Sequence, residues 1–545
     1  MPDCRHRRRL GTLLLVLAGV LLSARGARAQ GTIIVGSSSD FYNAIQTIDS
    51  NPSNNYTLSL TGDITMSQQV SPISTSGTIT VAGNGFTLNG GGAYRPFFIE
   101  AGNVALQNLT ITNAEAHGGN GGVAVGGGGG GLGAGGAVLV DSNGHVTLSN
   151  VAFSSDSAVG GNGGGTVAGI TSGGGGGGLF GNGGDSSHAG GGGGGGLTAS
   201  GSSATSNNLG AAGAGGTPGG SGYGIPGSSG TYGNGGGGGG IAAAGGAGGD
   251  FGGGGGGGYV GGAGGAGGFG GGGGGSGSLS SGGTAGFGGG NGGGISQAGN
   301  GGSAFGGALF VRAGGTITFD DSTTFTNNTV TGGTGGGTGA SNGPADGNDL
   351  FLMRGTTTTF NIGVGQTFTF APSIGNEDGT SSTLSGVAID KTGLGTLVLN
   401  GSSGLSGSTV VDSGTLVVND TLAGTMTVNS GGTLMGIGTV GGDTTINAGG
   451  TVYPGTVGAP LTISGNFTQN SGSSYTAEVS ATGSDKIVVN GSATIHTGST
   501  FNIVLDPGTY TTGTHYVVMT ASGGITGSYS TTILPSPGTN QYFSL

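Results

Sequence analysis

Apolar and small polar residues alternate over short runs along most of the chain, and glycine, asparagine or serine separates one run from the next. Typical runs are Thr78-Ile79-Thr80-Val81 and Thr316-Ile317-Thr318-Phe319. A period of two between turn residues is the pattern of β-strands that bury one face. No stretch after residue 29 shows the period of a helix. The pattern therefore predicts an all-β protein.

A short unit recurs along the chain and predicts how the strands are arranged. The unit that begins at Gly135 (GGAVLVDSNGHVTLSNVAFSSDSAVGG) returns at Gly306 (GGALFVRAGGTITFDDSTTFTNNTVTGG) with one additional residue, and a looser copy begins at Phe97. A unit of this size cannot bury its apolar face alone, whereas stacked copies can. We therefore expect a right-handed parallel β-helix, or β-solenoid, in which these copies are neighbouring rungs.

Glycine-rich sequence follows each copy at the same point, in about residues 118–134, 162–304 and 334–348. This placement predicts loops that leave one corner of the solenoid. Closing the longest loop costs only about 3 kcal/mol more than closing a four-residue turn, whereas ordering it costs about 1–2 kcal/mol per residue. We therefore expect a mobile tract that folding does not require. Packed glycine helices or sheets are the open alternative.

The first 29 residues have the organisation of a secretory signal peptide. Basic residues precede an apolar run at positions 10–22, and Ala27-Arg28-Ala29 offers a cleavage site before Gln30. The apolar run is shorter than the roughly 20 residues that a membrane-spanning helix needs. We therefore expect export and a mature chain without a transmembrane segment. Cys4 lies in the leader, so the mature chain would have no disulfide and no cysteine metal site.

The charge balance argues against nucleic acid as a partner. Without residues 1–29 the chain has five basic and 22 acidic residues, a net charge of −17. Binding to nucleic acid requires a basic patch that neutralises several phosphates. The five cations are instead scattered along the sequence, at Arg95, Arg312, Arg354, Lys391 and Lys486.

The last third of the chain predicts a narrower solenoid, in which Gly-Thr begins the strands. Residues 391–419 (KTGLGTLVLNGSSGLSGSTVVDSGTLVVN) closely resemble the passenger-associated transport repeat of bacterial autotransporters, which reads Lys-x-Gly-x-Gly-Thr-Leu and then Gly-Thr-Leu again. Residues 450–455 and 484–489 also resemble segments of such passengers. The resemblance extends from about residue 347 to the end, and the preceding region resembles pectin-lyase-like β-helices in pattern.

The resemblance implies an exported, non-catalytic and adhesin-like passenger at the surface of a Gram-negative bacterium or outside it. It implies host or matrix surfaces as ligands. Members of the family continue into an outer-membrane β-barrel, whereas this sequence stops at Leu545. A truncated gene, a separately encoded barrel and a released protein are the open readings. The expected segments are 1–29 (signal peptide), 30–161 (N-terminal rungs), 162–304 (glycine-rich insertion), 305–390 (further rungs) and 391–545 (autotransporter-repeat-like solenoid).

Motifs that carry chemistry are sparse, and we expect no catalytic, cofactor or metal site. Gly184-Asp185-Ser186 has the letters of a hydrolase motif without a scaffold for a triad. Gly245-Gly246-Ala247-Gly248-Gly249-Asp250 begins like a calcium-binding nonapeptide but lacks tandem copies. The histidines after the predicted leader are too scattered to indicate a metal site; they are His117, His145, His188, His496 and His515.

A pectin-lyase-like carbohydrate-active enzyme is the alternative function. Asp320, Asp321 and Arg312 share one repeat unit and are the best candidates for a catalytic cluster. Solvated residues at rung corners are the simpler interpretation, because functional clusters usually contain more charge. Ice binding is a third hypothesis. It requires Thr-x-Thr at a constant place in successive rungs, and the sequence spacing of Thr110-x-Thr112 and Thr316-x-Thr318 does not keep one.

Overall fold

The structure, a computed structural model, describes residues 30–168, 172–205, 209–371, 374–377, 386–400, 407–511 and 513–533. The predicted signal peptide and residues 401–406 of the transport-repeat resemblance lie outside this part. Nearly all regular structure is parallel β-strand, in long sheets that pass from rung to rung. The predicted all-β parallel solenoid is therefore confirmed.

The elements before the long glycine-rich tract are β1 (Gln30–Val35), α1 (Ser38–Ser50), β2 (Asn55–Leu60), β3 (Ile64–Thr65), β4 (Ile73–Ala82), β5 (Thr87–Asn89), β6 (Phe97–Thr112), β7 (Glu115–His117), β8 (Gly133–Ala134), β9 (Val138–Ser154) and β10 (Ser157–Val159). Those directly after it are β11 (Ala304–Phe305), β12 (Leu309–Val311), β13 (Thr316–Thr326), β14 (Thr329–Thr331), β15 (Ala345–Asp346), β16 (Leu350–Leu352), β17 (Thr357–Asn361), β18 (Thr367–Phe370) and β19 (Ile374–Asn376).

The C-terminal strands are β20 (Ala388–Thr392), β21 (Thr396–Leu399), β22 (Thr409–Val411), β23 (Gly414–Val418), β24 (Thr421–Leu422), β25 (Met426–Val428), β26 (Gly432–Met435), β27 (Thr439–Val440), β28 (Thr444–Ile446), β29 (Thr451–Val452), β30 (Pro460–Ile463), β31 (Phe467–Gln469), β32 (Ser474–Ser480), β33 (Gly483–Ser484), β34 (Lys486–Val489), β35 (Ala493–Ile495), β36 (Thr500–Leu505), β37 (Met519–Ala521), β38 (Ile525–Gly527) and β39 (Thr531–Ile533).

Helix α1 corrects the expectation that no helix follows residue 29. Ser37 caps it, because its hydroxyl accepts a hydrogen bond from the backbone N–H of Asp40 at 3.2 Å. Phe41, Ile45 and Ile48 lie on one face and are buried in the solenoid core. Their spacing is the i, i+4, i+7 pattern of an amphipathic helix, so the sequence contained the signal. The run is short, and the surrounding strand pattern obscured it.

The repeat copies are neighbouring rungs, as predicted. Leu309 pairs with Val138, and Thr316 pairs with His145, although 171 positions separate the members of each pair. The register shifts between Asp320 and Thr323, where a β-bulge takes up the additional residue of the second copy. Phe97 of the looser copy pairs with Val138 on the other side.

The C-terminal rungs bury the face that the alternation predicts. Leu397, Leu416 and Leu434 are stacked in register, and these three side chains and Val418 have no exposed surface. Each such side chain contributes roughly 1.5–3 kcal/mol through burial. The Nζ atom of Lys391 also points inward and donates to the carbonyl oxygens of Thr392, Gly393 and Ser413 at 2.6–3.1 Å. Burial lowers its pKa to about 8.

The three glycine-rich inserts leave the same corner, as predicted. Strands β7, β10 and β14, which precede them, pair side by side, and so do β8, β11 and β15, which follow them. The chain therefore leaves each of three successive rungs at one point and returns to that rung at another.

The expectation of a mobile tract is wrong. Extended segments of the described residues between 118 and 132, 160 and 303, and 332 and 344 pack into one body, here called the glycine bundle. In residues 173–178, successive N–H groups donate to three different neighbouring segments and return to the same one every third residue. The hydrogen bonds join Gly173 to Gly257, Gly174 to Gly126, Gly175 to Gly184, Gly176 to Gly254, Gly177 to Gly129 and Gly178 to Gly181, at 2.7–2.9 Å.

A repeat of three residues per turn without internal hydrogen bonds is the geometry of polyproline II. The segments therefore satisfy their backbone groups between chains, which is the packed alternative that the sequence left open. Glycine is required in the interior because the neighbouring backbones fill the space of a side chain. A Cβ atom at Gly174 or Gly176 would lie 2.0–2.1 Å from a neighbouring carbonyl oxygen.

Candidate functional site

Tight turns at the two ends of the glycine bundle carry its large side chains. Segments of about eight residues run back and forth between these ends. At one end the turns form a row joined by backbone hydrogen bonds, in which Gly233 donates to Asp250, Phe251 to Phe269, and Gly270 to Phe287. This row, with the rings of Phe251, Phe269 and Phe287, is here called the foot.

The foot packs on an apolar column on the outer face of the solenoid. Phe98, Leu139, Phe310 and Phe351 lie in register on four successive rungs and point away from the inner core; they are here called the covered ladder. The rings of the foot follow the same order as the rungs of the ladder. Phe251 contacts Phe98, Phe269 contacts Phe310 and Phe287 contacts Phe351, with ring centroids 5.3, 6.4 and 6.3 Å apart. Such aromatic pairs contribute about 0.5–1.5 kcal/mol each beyond their buried area.

Arg312 fixes the bundle to the solenoid through charge. Its Nη1 atom lies 2.9 Å from Asp141 Oδ1, and its Nη2 atom lies 2.8 Å from Asp250 Oδ2 at a foot turn. The guanidinium carbon lies 3.9 Å from the ring centroid of Phe269. The hydroxyl of Tyr232 donates to Asp141 Oδ2 at 2.9 Å, and burial together with the carboxylate raises the pKa of Tyr232.

Arg95, which is completely buried, also connects the solenoid to the bundle. Its Nε and Nη2 atoms donate to the carbonyl oxygens of Gly135 and Ala134, and its guanidinium carbon lies 4.8 Å from the ring centroid of Phe180 in the bundle. Burial lowers its pKa to about 9. The bundle is therefore held on the solenoid by apolar, cation–π and ionic contacts.

The opposite end repeats the design of the foot with exposed side chains. Its turns are also joined in a row, in which Gly224 donates to Ile241, Ala242 to Tyr259, and Gly261 to Ser278, each at 2.6 Å. The large exposed side chains of this end, here called the distal ridge, are Tyr223, Ile225, Tyr259, Val260, Leu279 and Ile295, with exposed fractions of 38–81%.

Two residues of the distal ridge have an unfavourable backbone. Val260 and Leu279 have φ of +58° and +68°, and a β-branched residue at positive φ is an outlier. Backbone strain of this kind is concentrated at functional sites.

The bundle carries very little charge. The 142 residues from 162 to 303 include only two charged side chains, Asp185 and Asp250. Asp250 is paired at the foot. The ridge is thus an exposed, uncharged, apolar surface on a rigid support.

Sequence reasoning missed the division of these residues between two ends. Phe251, Phe269 and Phe287 belong to the foot, whereas Tyr259 lies at the distal end. A signal was available. Large residues recur every eight to ten positions from Ile241 to Ile295, so alternate ones meet at the same end of a folded-back chain.

The residues considered for chemistry lie apart in the structure. Arg312, on the solenoid, binds Asp250 and Phe269 of the foot and is not a solvated corner residue. Asp320 accepts a hydrogen bond from Asn361 Nδ2 at 2.9 Å, and the side chain of Asp321 lies outside the described part. Asp185 accepts from the backbone of Val123, whereas His188 contacts Ser187. No three histidine, cysteine, aspartate or glutamate side chains converge as a metal site among the residues that the structure describes.

The fold defines the protein as a parallel β-solenoid with a docked glycine bundle. Within it, residues 389–418 match the family model of the passenger-associated transport repeat. This match supports the autotransporter passenger that the sequence resemblance implied, and the repeat implies export to the cell surface. No curated protein matches the chain. In the described ranges, helices are too short or too polar to cross a membrane.

Proposed function

We propose that the protein is an exported, non-catalytic, adhesin-like passenger that displays the distal ridge of its glycine bundle. The solenoid is the stalk, and the bundle is a rigid platform fixed to it at the foot. The observation that carries this proposal is the placement of side chains. The interior of the bundle consists largely of glycine, and its large apolar residues are at an end that docks on the solenoid and at an end that is exposed.

The exposed end has the properties of an interaction surface. Leu279 is 81% exposed and Tyr223 is 76% exposed, and contiguous exposed apolar residues commonly mark sites of interaction. The backbone hydrogen bonds between turns hold the backbone that carries these side chains in place. A host or matrix surface could therefore bind without ordering a loop first, which lowers the entropic cost of binding.

Two observations favour this proposal over a carbohydrate-active enzyme. Arg312, the cation of the best catalytic candidate, is paired with Asp141 of the solenoid and Asp250 of the foot. Asp320 is hydrogen-bonded to Asn361 on the outer face of the sheet. We expect no soluble products when the purified protein is incubated with pectin or other polysaccharides, and product release would favour the enzymatic alternative.

The adhesive role is tested by binding of the purified protein to host cells and to immobilised matrix. Leu279→Glu places a charge on the ridge and should reduce binding at least tenfold. Val364→Glu is the matched control, because Val364 is 77% exposed on the solenoid and its substitution should leave binding unchanged. Equal binding by both variants and the wild type would show that the ridge is not the adhesive surface.

A further inference from the structure

The foot shows what kind of surface a row of apolar turns recognises in this protein. Its three phenylalanines lie on the covered ladder and contact its rings in the order of the rungs. Neighbouring strands in a sheet are about 4.8 Å apart, and the rings of Phe269 and Phe287 on neighbouring foot turns have centroids 5.2 Å apart, so the row of turns and the ladder of rungs have similar spacing. The distal ridge has the same hydrogen-bonded construction and is exposed.

The C-terminal solenoid has a second apolar column on its outer face. Val398, Val417 and Met435 pair in register on three successive rungs, and Tyr453 occupies the same position on the fourth. Leu397, Leu416, Leu434 and Val452 alternate with them and point inward. Each of the four outer side chains is partly exposed. They are here called the free ladder, since they have the geometry of the covered ladder without a foot on them.

We propose that the distal ridge of one copy docks on the free ladder of a second copy. The partner is this same chain, because it supplies both complementary surfaces and because the foot already joins such surfaces within one molecule. The ridge and the free ladder are different patches, so the contact is heterologous and each copy keeps one surface open for the next. The product is an open, head-to-tail chain of passengers.

Charge sets the conditions for this association. The chain is acidic, with a net charge of −12 over the full sequence, whereas the ridge and the free ladder consist of uncharged residues. Salt screens the repulsion between copies and leaves the apolar contact intact. Association should therefore increase with ionic strength. This inference builds on the proposed display of the ridge but does not depend on a host ligand.

Sedimentation velocity of the purified protein tests the proposal. The wild type should show a weight-average sedimentation coefficient that rises with protein concentration and with salt. Leu279→Glu on the ridge and Val417→Glu on the free ladder should each remain monomeric. Met435→Glu is the second ladder variant, to be used if far-ultraviolet circular dichroism shows that Val417→Glu does not fold. Val364→Glu is the control and should associate like the wild type.

Mixing the variants separates a head-to-tail contact from a symmetric one. The Val417→Glu protein retains a ridge and the Leu279→Glu protein retains a ladder, so an equimolar mixture should form a dimer that does not grow further. Association of Val417→Glu alone would mean that ridges pair with each other, and this would overturn the proposal. A wild type that is monomeric at all concentrations would also overturn it, whereas loss of host-cell binding would concern only the proposed function.

Discussion

Substitution of one buried glycine tests the packing of the glycine bundle at a single position. In Gly175→Ala the new methyl carbon would lie 2.0 Å from the carbonyl oxygen of Gly193, although such atoms need more than about 3 Å. The segments must therefore separate by about 1 Å. This separation would break the hydrogen bonds from Gly192 to Gly173 and from Gly195 to Gly176, now 2.9 and 2.8 Å long.

These effects can be combined into an expected loss of stability for Gly175→Ala. Overpacking costs about 1–3 kcal/mol, and two lost hydrogen bonds cost about 0.5–1.5 kcal/mol each. Loss of glycine flexibility in the unfolded chain returns about 0.4–1 kcal/mol. Gly175→Ala should therefore destabilise the bundle by about 1–6 kcal/mol. In the control Gly222→Ala, the nearest atom to the methyl group is Ile225 Cδ1 at 3.7 Å, and we expect no loss.

Pulse proteolysis in urea measures this difference within the bundle. Residues 162–303 contain no lysine or arginine, so a protease that cuts at aromatic and aliphatic residues is required. The urea midpoint for cleavage in the bundle should fall clearly in Gly175→Ala and remain unchanged in Gly222→Ala. Equal midpoints for both variants would refute the packing argument.

Two further substitutions and one deletion test the solenoid and its junction with the bundle. Burial raises the pKa of Asp156 to about 8, so its carboxyl group ionises at a lower pH in the unfolded chain than in the folded protein. The melting temperature of the wild type should therefore fall relative to that of Asp156→Asn as pH rises from about 4 to about 8. A constant difference between the two melting temperatures across this range would contradict the shift. Leu416→Asp should cost several kcal/mol, and an unchanged urea midpoint would mean that Leu416 does not face the core. Joining Gly161 to Ser303 through a short Gly-Ser turn should retain the far-ultraviolet β signal, because the rungs pair independently of the bundle. It should also uncover the covered ladder and increase binding of a hydrophobic dye; loss of the β signal would show that the solenoid requires the bundle.

The rungs could be predicted from the sequence because their signals are local and repeated. Alternation identifies the buried face at Leu416 and Val418, and the similarity of the copies at Gly135 and Gly306 places them side by side across the insertion. The extra residue of the second copy even marks the bulge near Asp320. Each of these inferences needs only strand periodicity and the requirement to bury an apolar face.

The glycine bundle could not be predicted in the same way. Burial of side chains normally offsets the entropic cost of ordering a segment, and residues 173–178 have no side chains to bury. The compensation comes from hydrogen bonds between distant segments, such as Gly176 to Gly254, and the sequence does not indicate which segments meet. The foot was missed for a related reason. Arg312 and Phe269 are 43 positions apart, and their contact appears only when the bundle is folded back on the solenoid.

Hydrogen exchange measured by mass spectrometry tests the central claim, that the glycine-rich tract is an ordered bundle fixed to the solenoid. The amides of residues 173–178 all donate to carbonyl oxygens of other segments, and open only when those segments separate. The structure predicts slow exchange in peptides that cover these residues, comparable with that of β9 and β13. Exchange at the rate of an unstructured peptide would contradict the bundle, and with it the placement of the distal ridge.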